Sequence, residues 1–439
     1  MASERGSLND ALLDGAAPKE AAHPRRWVAV GLTACGSAMN AFQFMNFSPI
    51  ADLSTGVFSA TTGQVSWLYS ASLLSVLPAF FLAVRWTSAP ATQRGALRAM
   101  HGLNLAAALL RAGSAYAGSY ALAMASSVLL GVAASFVISA FTSVSQRWLP
   151  AAERPLGVSL TVQANYFGWL LGAVLVPYAC VAKGGLVRLL EVQAAAAGLI
   201  FALAAFGAPE PPADGGGGAV AAGVAAADLD VAPPSPDFGL TTAVRELAAR
   251  PRWLASCAAY ALAGGVGFAV PAAQDIVFDE ACAFSPKVTA LANAAFIAAG
   301  VVTGLALGFA HDAVERREAG CLLGLLGLGV AAIAGLAGAV RPTGLAPACD
   351  EYACVGLMAA AGASTIGFVG LALGEAGRSA GPNPAARVFS GGCVEWWLQV
   401  CGAAITQVAS NRRGFETCAA FQGAALAAGA VALLGLRRD

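Results

Sequence analysis

The sequence predicts an all-α membrane protein with about twelve transmembrane helices arranged as two six-helix halves. Of the 439 residues, 58% are hydrophobic and only 11% are charged, whereas a soluble domain has roughly 25% charged residues because its surface faces water. Uncharged runs such as 119–146 and 418–436 match or nearly match the roughly 20 apolar residues that a helix needs to cross a bilayer. We therefore expect the lipid bilayer to surround most of this chain.

Apolar stretches of this length recur in two sets, separated by a break. The predicted spans are 27–50, 65–85, 97–117, 119–142, 157–180 and 186–207, then 252–275, 286–310, 318–340, 350–373, 388–410 and 415–436. The break is rich in glycine and proline, a composition typical of a flexible linker. The chain thus divides into a tail (1–26), a first half (27–207), a cytoplasmic linker (208–250) and a second half (251–436).

The basic residues are distributed unevenly between the two sides of the predicted bundle. With both termini in the cytoplasm, 18 of the 25 Lys and Arg residues fall in cytoplasmic segments, as the positive-inside bias requires. The tail contains acids and bases without an apolar signal core, which favours a cytosolic location for it. The pattern does not identify which membrane holds the protein.

Composition argues against several functional classes. The net charge is zero and the basic residues form no block, so we expect no nucleic-acid partner. The ten cysteines and three histidines show no metal-ligand spacing, so no metal or cofactor is expected. We find no nucleophile with a nearby base and no phosphate loop, so we do not expect an enzyme. A disulfide among Cys282, Cys349 and Cys354, near predicted outer helix ends, is left open.

Two six-helix halves with a long linker resemble the major facilitator superfamily, in which substrate binds near the midplane between the halves. That superfamily carries Gly-x-x-x-Asp and basic residues between helices 2 and 3, often echoed between helices 8 and 9. Gly308 to Asp312, followed by Arg316 and Arg317, matches the echo, whereas the first copy lacks its aspartate. The resemblance implies that Asp312 and Arg316 act in a cytoplasmic gate, and ordinary loop charges are the alternative.

Short sequence motifs in several predicted spans match a second, narrower family, and they occur in the same order along the chain. They include Asn40-Ala41-Phe42-Gln43, Gly102-Leu103-Asn104, and Gly391-Gly392 followed by Gln399. These motifs resemble those of the feline leukaemia virus subgroup C receptor-related family, solute carrier family 49. Its members are associated with choline, ethanolamine or haem transport.

The resemblance to this family also suggests where substrate binds. It implies that Gln399 faces the substrate. Phe44, Tyr166 and Phe268 stand where the family has a tryptophan, a glutamine and a tyrosine, so the resemblance does not fix the substrate.

Glu395 is a charged residue deep inside an apolar span, where insertion costs roughly 2.5–3.5 kcal/mol and the residue usually faces a cavity or a partner. Glu395 and Gln399 are four residues apart and so share one helix face. Either Glu395 neutralises a cationic substrate or carries a coupling proton while Gln399 orients the substrate, or Glu395 only fixes helix packing.

Aromatic and amide side chains complete the predicted site. Phe44, Tyr166, Phe268 and Trp396 can hold a quaternary ammonium by cation–π attraction, worth roughly 0.5–2 kcal/mol per ring, or can simply fill helix interfaces. Because phenylalanine is a weaker cation–π partner than tryptophan, either Trp169 or Trp396 compensates at Phe44, or the substrate is a different and less cationic one. The amides Asn40, Gln43 and Asn165 need partners inside apolar spans, and they either line the cavity or join helices.

These features together predict a secondary transporter that works as a monomer by alternating access on a small molecule. The first choice of substrate is a small organic cation or amine, similar to choline or ethanolamine. The alternatives are a haem or other metabolite transporter of the same family, and a membrane receptor or sensor that binds ligand without transport.

Overall fold

The computed structural model describes residues 23–150, 153–211, 240–309, 318–340, 350–381, 384–411 and 415–436, and these residues form helices and connecting turns without a β-strand. In the first half the helices are α1 (Arg26–Phe44), α2 (Ala51–Phe58), α3 (Thr62–Ser88), α4 (Pro90–Ala117), α5 (Tyr120–Trp148), α6 (Arg154–Ala179) and α7 (Lys183–Gly207). A 3-10 turn at Ser48–Ile50 connects α1 and α2.

The second half has the same general layout. Its helices are α8 (Leu240–Ala248), α9 (Pro251–Cys282), α10 (Pro286–Phe309), α11 (Glu318–Ala339), α12 (Glu351–Thr365), α13 (Val369–Ser379), α14 (Pro384–Ser410) and α15 (Phe415–Leu436). Helix α8 lies within the segment 208–250 that the sequence predicts as a linker, while 212–239 falls outside the described residues. The domain boundaries therefore stay a prediction.

Eight helical segments of the described chain are long and apolar enough to cross a membrane, beginning with Arg26–Phe58. Helix α4 has 28 residues but carries Arg94, Arg98 and Arg111, and it packs within the bundle against α5 and α7. The chain is a multi-pass membrane protein. Its all-helical architecture confirms the predicted fold class.

The two halves repeat the same helix pairings. In the first half α1 packs on α6, α3 on α5 and α4 on α7; in the second α9 packs on α14, α10 on α12 and α11 on α15. Such internal repeats are a general feature of transporter folds, in which the substrate site lies at the repeat interface. The interface between the halves is thus the first place to search for a site.

Glycines allow helices to approach closely inside each half. A Cβ atom at Gly168 would collide with the backbone oxygen of Ala38, and one at Gly172 would collide with the side chain of Met45. In the second half, a Cβ atom at Gly265 would lie 2.7 Å from the Cβ atom of Cys401. These contacts hold α6 against α1 and α14 against α9, and so fix the helices that surround the central cavity.

The halves meet along two helix pairs, α3 with α14 and α6 with α10. At the end where α3 begins and α14 ends, which the charge bias predicts to face outward, the Ser66 and Ser410 hydroxyl oxygens lie 2.9 Å apart. The Gln407 amide there donates to the Ser70 hydroxyl over 2.7 Å. Toward the other end of α3, the Phe81 and Phe389 rings stack with their centroids 6.2 Å apart. The halves are therefore in contact on both sides of the midplane.

One cysteine in a predicted outer region is oxidised. Cys282, at the end of α9, is disulfide-bonded, whereas Cys354 is a free thiol. Cys349 lies outside the described residues.

Candidate functional site: a central cavity between the halves

A small cavity lies between the two halves and has a volume of about 30 Å³. Residues from both halves line it: Asn40, Phe44, Leu73, Ala134, Val137, Ile138, Phe141, Val162, Asn165, Tyr166, Trp169, Phe268, Glu395 and Gln399. Since one water needs about 10–15 Å³ of such space, the cavity admits about two water molecules. Any larger ligand requires the surrounding side chains or helices to move apart.

Aromatic rings from three helices form one side of the cavity. The Trp169 ring of α6 lies 4.6 Å from Phe268 of α9, between ring centroids, and 6.2 Å from Tyr166. Phe44 of α1 belongs to the same wall, and its ring is 6.0 Å from that of Tyr69 of α3. The centroid spacings fall in the range of favourable edge and offset ring pairs. The rings together form an aromatic wall on one side of the cavity.

Tyr69 supports this wall from behind. Its hydroxyl donates a 2.9 Å hydrogen bond to the backbone oxygen of Phe268, and its ring contacts Trp169 at 6.3 Å. The hydrogen bond to Phe268 joins the first half to the second, so it ties the position of Phe268 to α3.

Glu395 and Gln399 of α14 provide the polar side of the cavity. Both side chains line it and are buried, with exposures of 6% and 5%. Their spacing of four residues places them on one helix face, as the sequence predicts. Glu395 makes no hydrogen bond or ion pair within the described part of the chain, and its carboxyl group is therefore available to a ligand.

The remaining wall is apolar and comes mainly from α5. Ala134, Val137, Ile138 and Phe141 line the cavity there. These side chains offer no counter-charge to Glu395. A carboxylate in such surroundings is costly unless a cation or proton compensates it.

Seven of the nine residues predicted for the site line this cavity: Asn40, Phe44, Asn165, Tyr166, Phe268, Glu395 and Gln399. Trp396 does not line it. Its indole instead donates to the backbone oxygen of Leu77 over 3.2 Å. Asp312 and Arg316, predicted as gate residues, lie outside the described residues.

Gln43 also lies away from the cavity, in a network that joins α1 to α4. Its amide donates to the backbone oxygen of Asn104 over 3.2 Å. The Asn40 amide donates to Oδ1 of Asn104 over 2.8 Å, and the Asn104 amide donates to the backbone oxygen of Gly36 over 3.1 Å. Of the predicted amides, Gln43 thus joins helices, and Asn40 both joins helices and reaches the cavity.

Trp169 is one of the cavity residues that the predicted site did not include, although it was named as a ring that could compensate at Phe44. It follows Asn165 by four residues and Tyr166 by three, so all three lie on neighbouring positions of one helix face. That spacing is readable in the sequence and could have placed Trp169 with the other two.

The sequence profile of the Major Facilitator Superfamily matches residues 33–390. The chain belongs to the Major Facilitator Superfamily. The match runs from α1 to the first residues of α14 and ends before Glu395 and Gln399.

Curated proteins of the superfamily match part of this chain. The choline/ethanolamine transporter FLVCR1 of Mus musculus is 25% identical over 167 residues, which cover 38% of this chain and 30% of the relative. The choline/ethanolamine transporter FLVCR2 of Rattus norvegicus is 25% identical over 153 residues, covering 35% of this chain and 28% of the relative. Solute carrier family 49 member A3 of Xenopus tropicalis is 24% identical over 201 residues, covering 43% and 41%.

These matches confirm the predicted resemblance to solute carrier family 49. In each case the chain spans less than half the length of the relative it matches.

Solved structures support the fold over nearly the whole chain. A bacterial homologue of the human lysosomal transporter Spinster, in an inward-facing and unoccupied conformation, superimposes with a TM-score of 0.60 and 12% identity, covering 95% of this chain and 96% of that one. Its occupied inward-facing conformation gives a TM-score of 0.63 at 13% identity, covering 95% and 98%. At such low identity the likeness concerns the fold alone.

Proposed function

We propose that this chain is a secondary transporter that moves a small organic cation or amine, similar to choline or ethanolamine, by alternating access. The observation that carries this proposal is the central cavity, which combines a buried, unpaired carboxylate with an aromatic wall. The protein performs no covalent chemistry on its substrate. It works as a monomer, with both termini in the cytoplasm.

The chemistry of the cavity suits an organic cation. A quaternary ammonium cannot donate N–H hydrogen bonds, so a site recognises it through π faces and a negative charge. Trp169 and Phe268 supply adjacent rings, and Glu395 supplies the charge. Gln399, on the same helix face as Glu395, offers a hydrogen-bond partner for a hydroxyl or amine at the other end of such a substrate.

Trp169 can supply the tryptophan ring that is missing at Phe44. A tryptophan is the strongest cation–π partner among the aromatic side chains, and Trp169 reaches the cavity from α6. We infer that it takes the role that a tryptophan in the first span has in the resembled family. The names of FLVCR1 and FLVCR2, choline/ethanolamine transporters, are in line with this substrate class.

The cavity favours a small cation over haem. Haem iron is held by histidine, cysteine, methionine or tyrosine, and among the described residues that line the cavity only Tyr166 is of these types.

The first experiment measures uptake of radiolabelled choline into proteoliposomes that contain the purified protein, against protein-free liposomes. We expect saturable uptake that excess unlabelled choline abolishes. A neutral analogue in which a carbon replaces the quaternary nitrogen should compete far less well, since it retains shape but loses charge.

The matched variants are Glu395→Gln in the cavity and Glu191→Gln on α7. Glu191 is exposed and accepts a hydrogen bond from the Tyr116 hydroxyl, away from the cavity. We expect the first variant to lose most uptake and the second to retain it. Equal competition by choline and its neutral analogue would refute the cationic substrate class, and saturable uptake of neither would refute transport of this class.

A further inference from the structure

We propose that the protein exchanges its organic cation for a proton, with the Glu395 carboxyl group binding the two in alternation. This inference rests on the proposed function and goes beyond it, because a carrier of the same substrate could equally work as a uniporter. It assigns to the cavity a second ligand and to the transporter a second activity, proton counter-transport.

The first step of the argument is the isolation of Glu395. It is the only carboxylic acid among the described residues that line the cavity, and none of those residues is basic. It has no ion-pair or hydrogen-bonding partner in the described chain, and the α5 wall opposite is apolar. A negative charge in that position has no compensating charge among the described residues when the cavity is empty.

The second step concerns the groups that surround it. The titratable side chains facing Glu395 from other helices are the phenols of Tyr166 on α6 and of Tyr69 on α3, which stands behind the aromatic wall. Helices α1, α5 and α9 present only amide, aromatic and aliphatic groups to the cavity. Cys393 and Cys401 are on α14 itself, and Cys257 is on the adjoining α9.

The other charged positions on the helices that pack against α14 lie within two turns of a helix end, among them Arg85, Arg147, Arg245, Glu246 and Arg252. Arginines deeper in the bundle, such as Arg111, belong to α4, which does not line the cavity. No basic side chain of the described residues thus neutralises Glu395, which leaves a bound proton or a bound cation.

The third step is the size of the cavity when the halves are in contact. A space of about 30 Å³ admits water but no organic cation, so this state is substrate-free. The halves can then change orientation at low cost only with the proton on Glu395. Substrate binding opens the cavity and displaces that proton to the solution on the same side.

The cycle that follows conserves charge. On one side the cation binds and the carboxyl O–H gives its proton to water; on the other side the cation leaves and the carboxylate takes a proton from water. One monovalent cation crosses in one direction for each proton in the other. Net charge does not move, so a pH gradient drives transport and a membrane potential does not. Because the two ligands compete for one group, each lowers the apparent affinity for the other by a factor that grows with its own concentration.

The test uses purified protein in proteoliposomes and choline as the probe. Counterflow is measured first, with unlabelled choline inside, labelled choline outside and equal pH on both sides. This exchange requires only a carrier for choline and does not depend on proton coupling. The same vesicles, without internal choline, are then given an interior one pH unit more acidic than the exterior.

We expect counterflow, and then accumulation approaching about tenfold, because one-for-one exchange transfers a tenfold proton ratio to choline. Nigericin in potassium medium, which abolishes the pH gradient, should abolish accumulation, whereas a potential set by valinomycin should not drive it. Counterflow without any effect of the pH gradient would overturn proton exchange and leave the choline carrier standing. Absence of counterflow would overturn the proposed substrate, and this inference with it.

A binding measurement separates a direct role of Glu395 from a structural one. Calorimetric titration of detergent-solubilised protein with choline, in buffers of different ionisation enthalpy, gives the number of protons released per choline bound. We expect release that approaches one proton as the buffer pH is lowered in the wild-type protein and in Glu191→Gln. Choline binding by Glu395→Gln should be weaker and release no proton. Proton release unchanged in Glu395→Gln would show that another group titrates and would overturn the assignment.

Discussion

Trp169 lies at the centre of the aromatic wall, in contact with Phe268 on one side and Tyr166 on the other. If it binds the substrate cation through its π face, Trp169→Leu removes that attraction while keeping an apolar side chain. We expect choline to bind roughly 5- to 30-fold more weakly, the equivalent of about 1–2 kcal/mol. The choline affinity of Trp169→Phe should fall between those of the wild type and Trp169→Leu.

The control for this prediction is Trp397→Leu. Trp397 is 47% exposed and belongs to the same helix as Glu395 without lining the cavity. We expect its choline affinity to stay within twofold of the wild type, in about the range of a neutral surface change. Loss of affinity in Trp397→Leu but not in Trp169→Leu would contradict the placement of the cation against the α6 ring.

Asn104 is a second residue whose role can be measured, through stability. Its side chain both donates to Gly36 and accepts from Asn40. The Asn40 amide also donates to the backbone oxygen of Leu130, so Asn104→Leu removes two buried hydrogen bonds and leaves one N–H of that amide unpaired. Such groups cost about 1–3 kcal/mol each, and we expect a clearly lower thermal unfolding midpoint in detergent. Asn411→Leu, at an exposed helix end, should leave the midpoint unchanged; equal midpoints for both variants would contradict the network.

The residue scale also shows what spacing alone can and cannot predict. Glu395 and Gln399 were readable because a charge and an amide four residues apart stand out in an apolar helix. Trp396 was predicted as a ring for a quaternary ammonium because it is aromatic, and residue type does not show that its indole donates to Leu77 of α3. Trp169 has a readable spacing from Asn165 and Tyr166, but its residue type alone does not decide for the site, because the same type also fills interfaces and faces lipid.

At the scale of helices, the contact of α1 with α6 depends on small residues. A side chain at Gly168 has no space, because its Cβ atom would already overlap the Ala38 carbonyl oxygen. We expect Gly168→Leu to separate the two helices, at a cost of about 1–3 kcal/mol or more, and to reduce both thermal stability and uptake.

The matched control is Gly113→Leu on α4, where nothing lies within 4 Å of a new Cβ atom. This variant should keep stability and uptake near wild type. A protein with Gly168→Leu that is as stable and active as Gly113→Leu would show that the close approach of α1 and α6 is not needed.

Helix positions followed well from hydrophobicity, but their ends and breaks did not. The predicted spans 65–85 and 97–117 leave a loop of eleven residues, whereas α3 continues to Ser88 and α4 already begins at Pro90. Proline is tolerated at the first position of a helix, where its missing N–H has no partner to lose. Conversely, the predicted span 27–50 ends early at Phe44. The break before α2 depends on packing, which hydropathy does not report.

For the whole molecule, composition and charge bias predicted the class of architecture. The reason is that every helix in a bilayer must satisfy its backbone hydrogen bonds internally. The pairing of α1 with α6 and of α9 with α14 depends on where small residues meet, and a single sequence does not state which glycine faces which helix. The state of the transporter is still less accessible. Contact between the halves on both sides of the cavity is a property of one conformation, whereas the sequence encodes several.

Alternating access requires the halves to separate at one end of the bundle while they stay closed at the other. At the predicted outer end, Ser66 of α3 and Ser410 of α14 have their hydroxyl oxygens 2.9 Å apart, and Gln407 adds a bond to Ser70. Cysteines in place of Ser66 and Ser410 would stand within disulfide reach. Oxidation should then close this end covalently and abolish choline uptake, and a reducing agent should restore it.

Each single cysteine variant serves as the control, because it carries one new thiol without its partner and should keep uptake after oxidation. A protease site inserted in the segment 212–239 reports the cross-link directly, since only cross-linked halves stay together after cleavage under non-reducing conditions. If the halves are cross-linked and uptake nevertheless continues, this end does not open during transport. Substrate would then have to enter and leave by a route that bypasses the contact of α3 with α14, which the rocking of two halves does not provide.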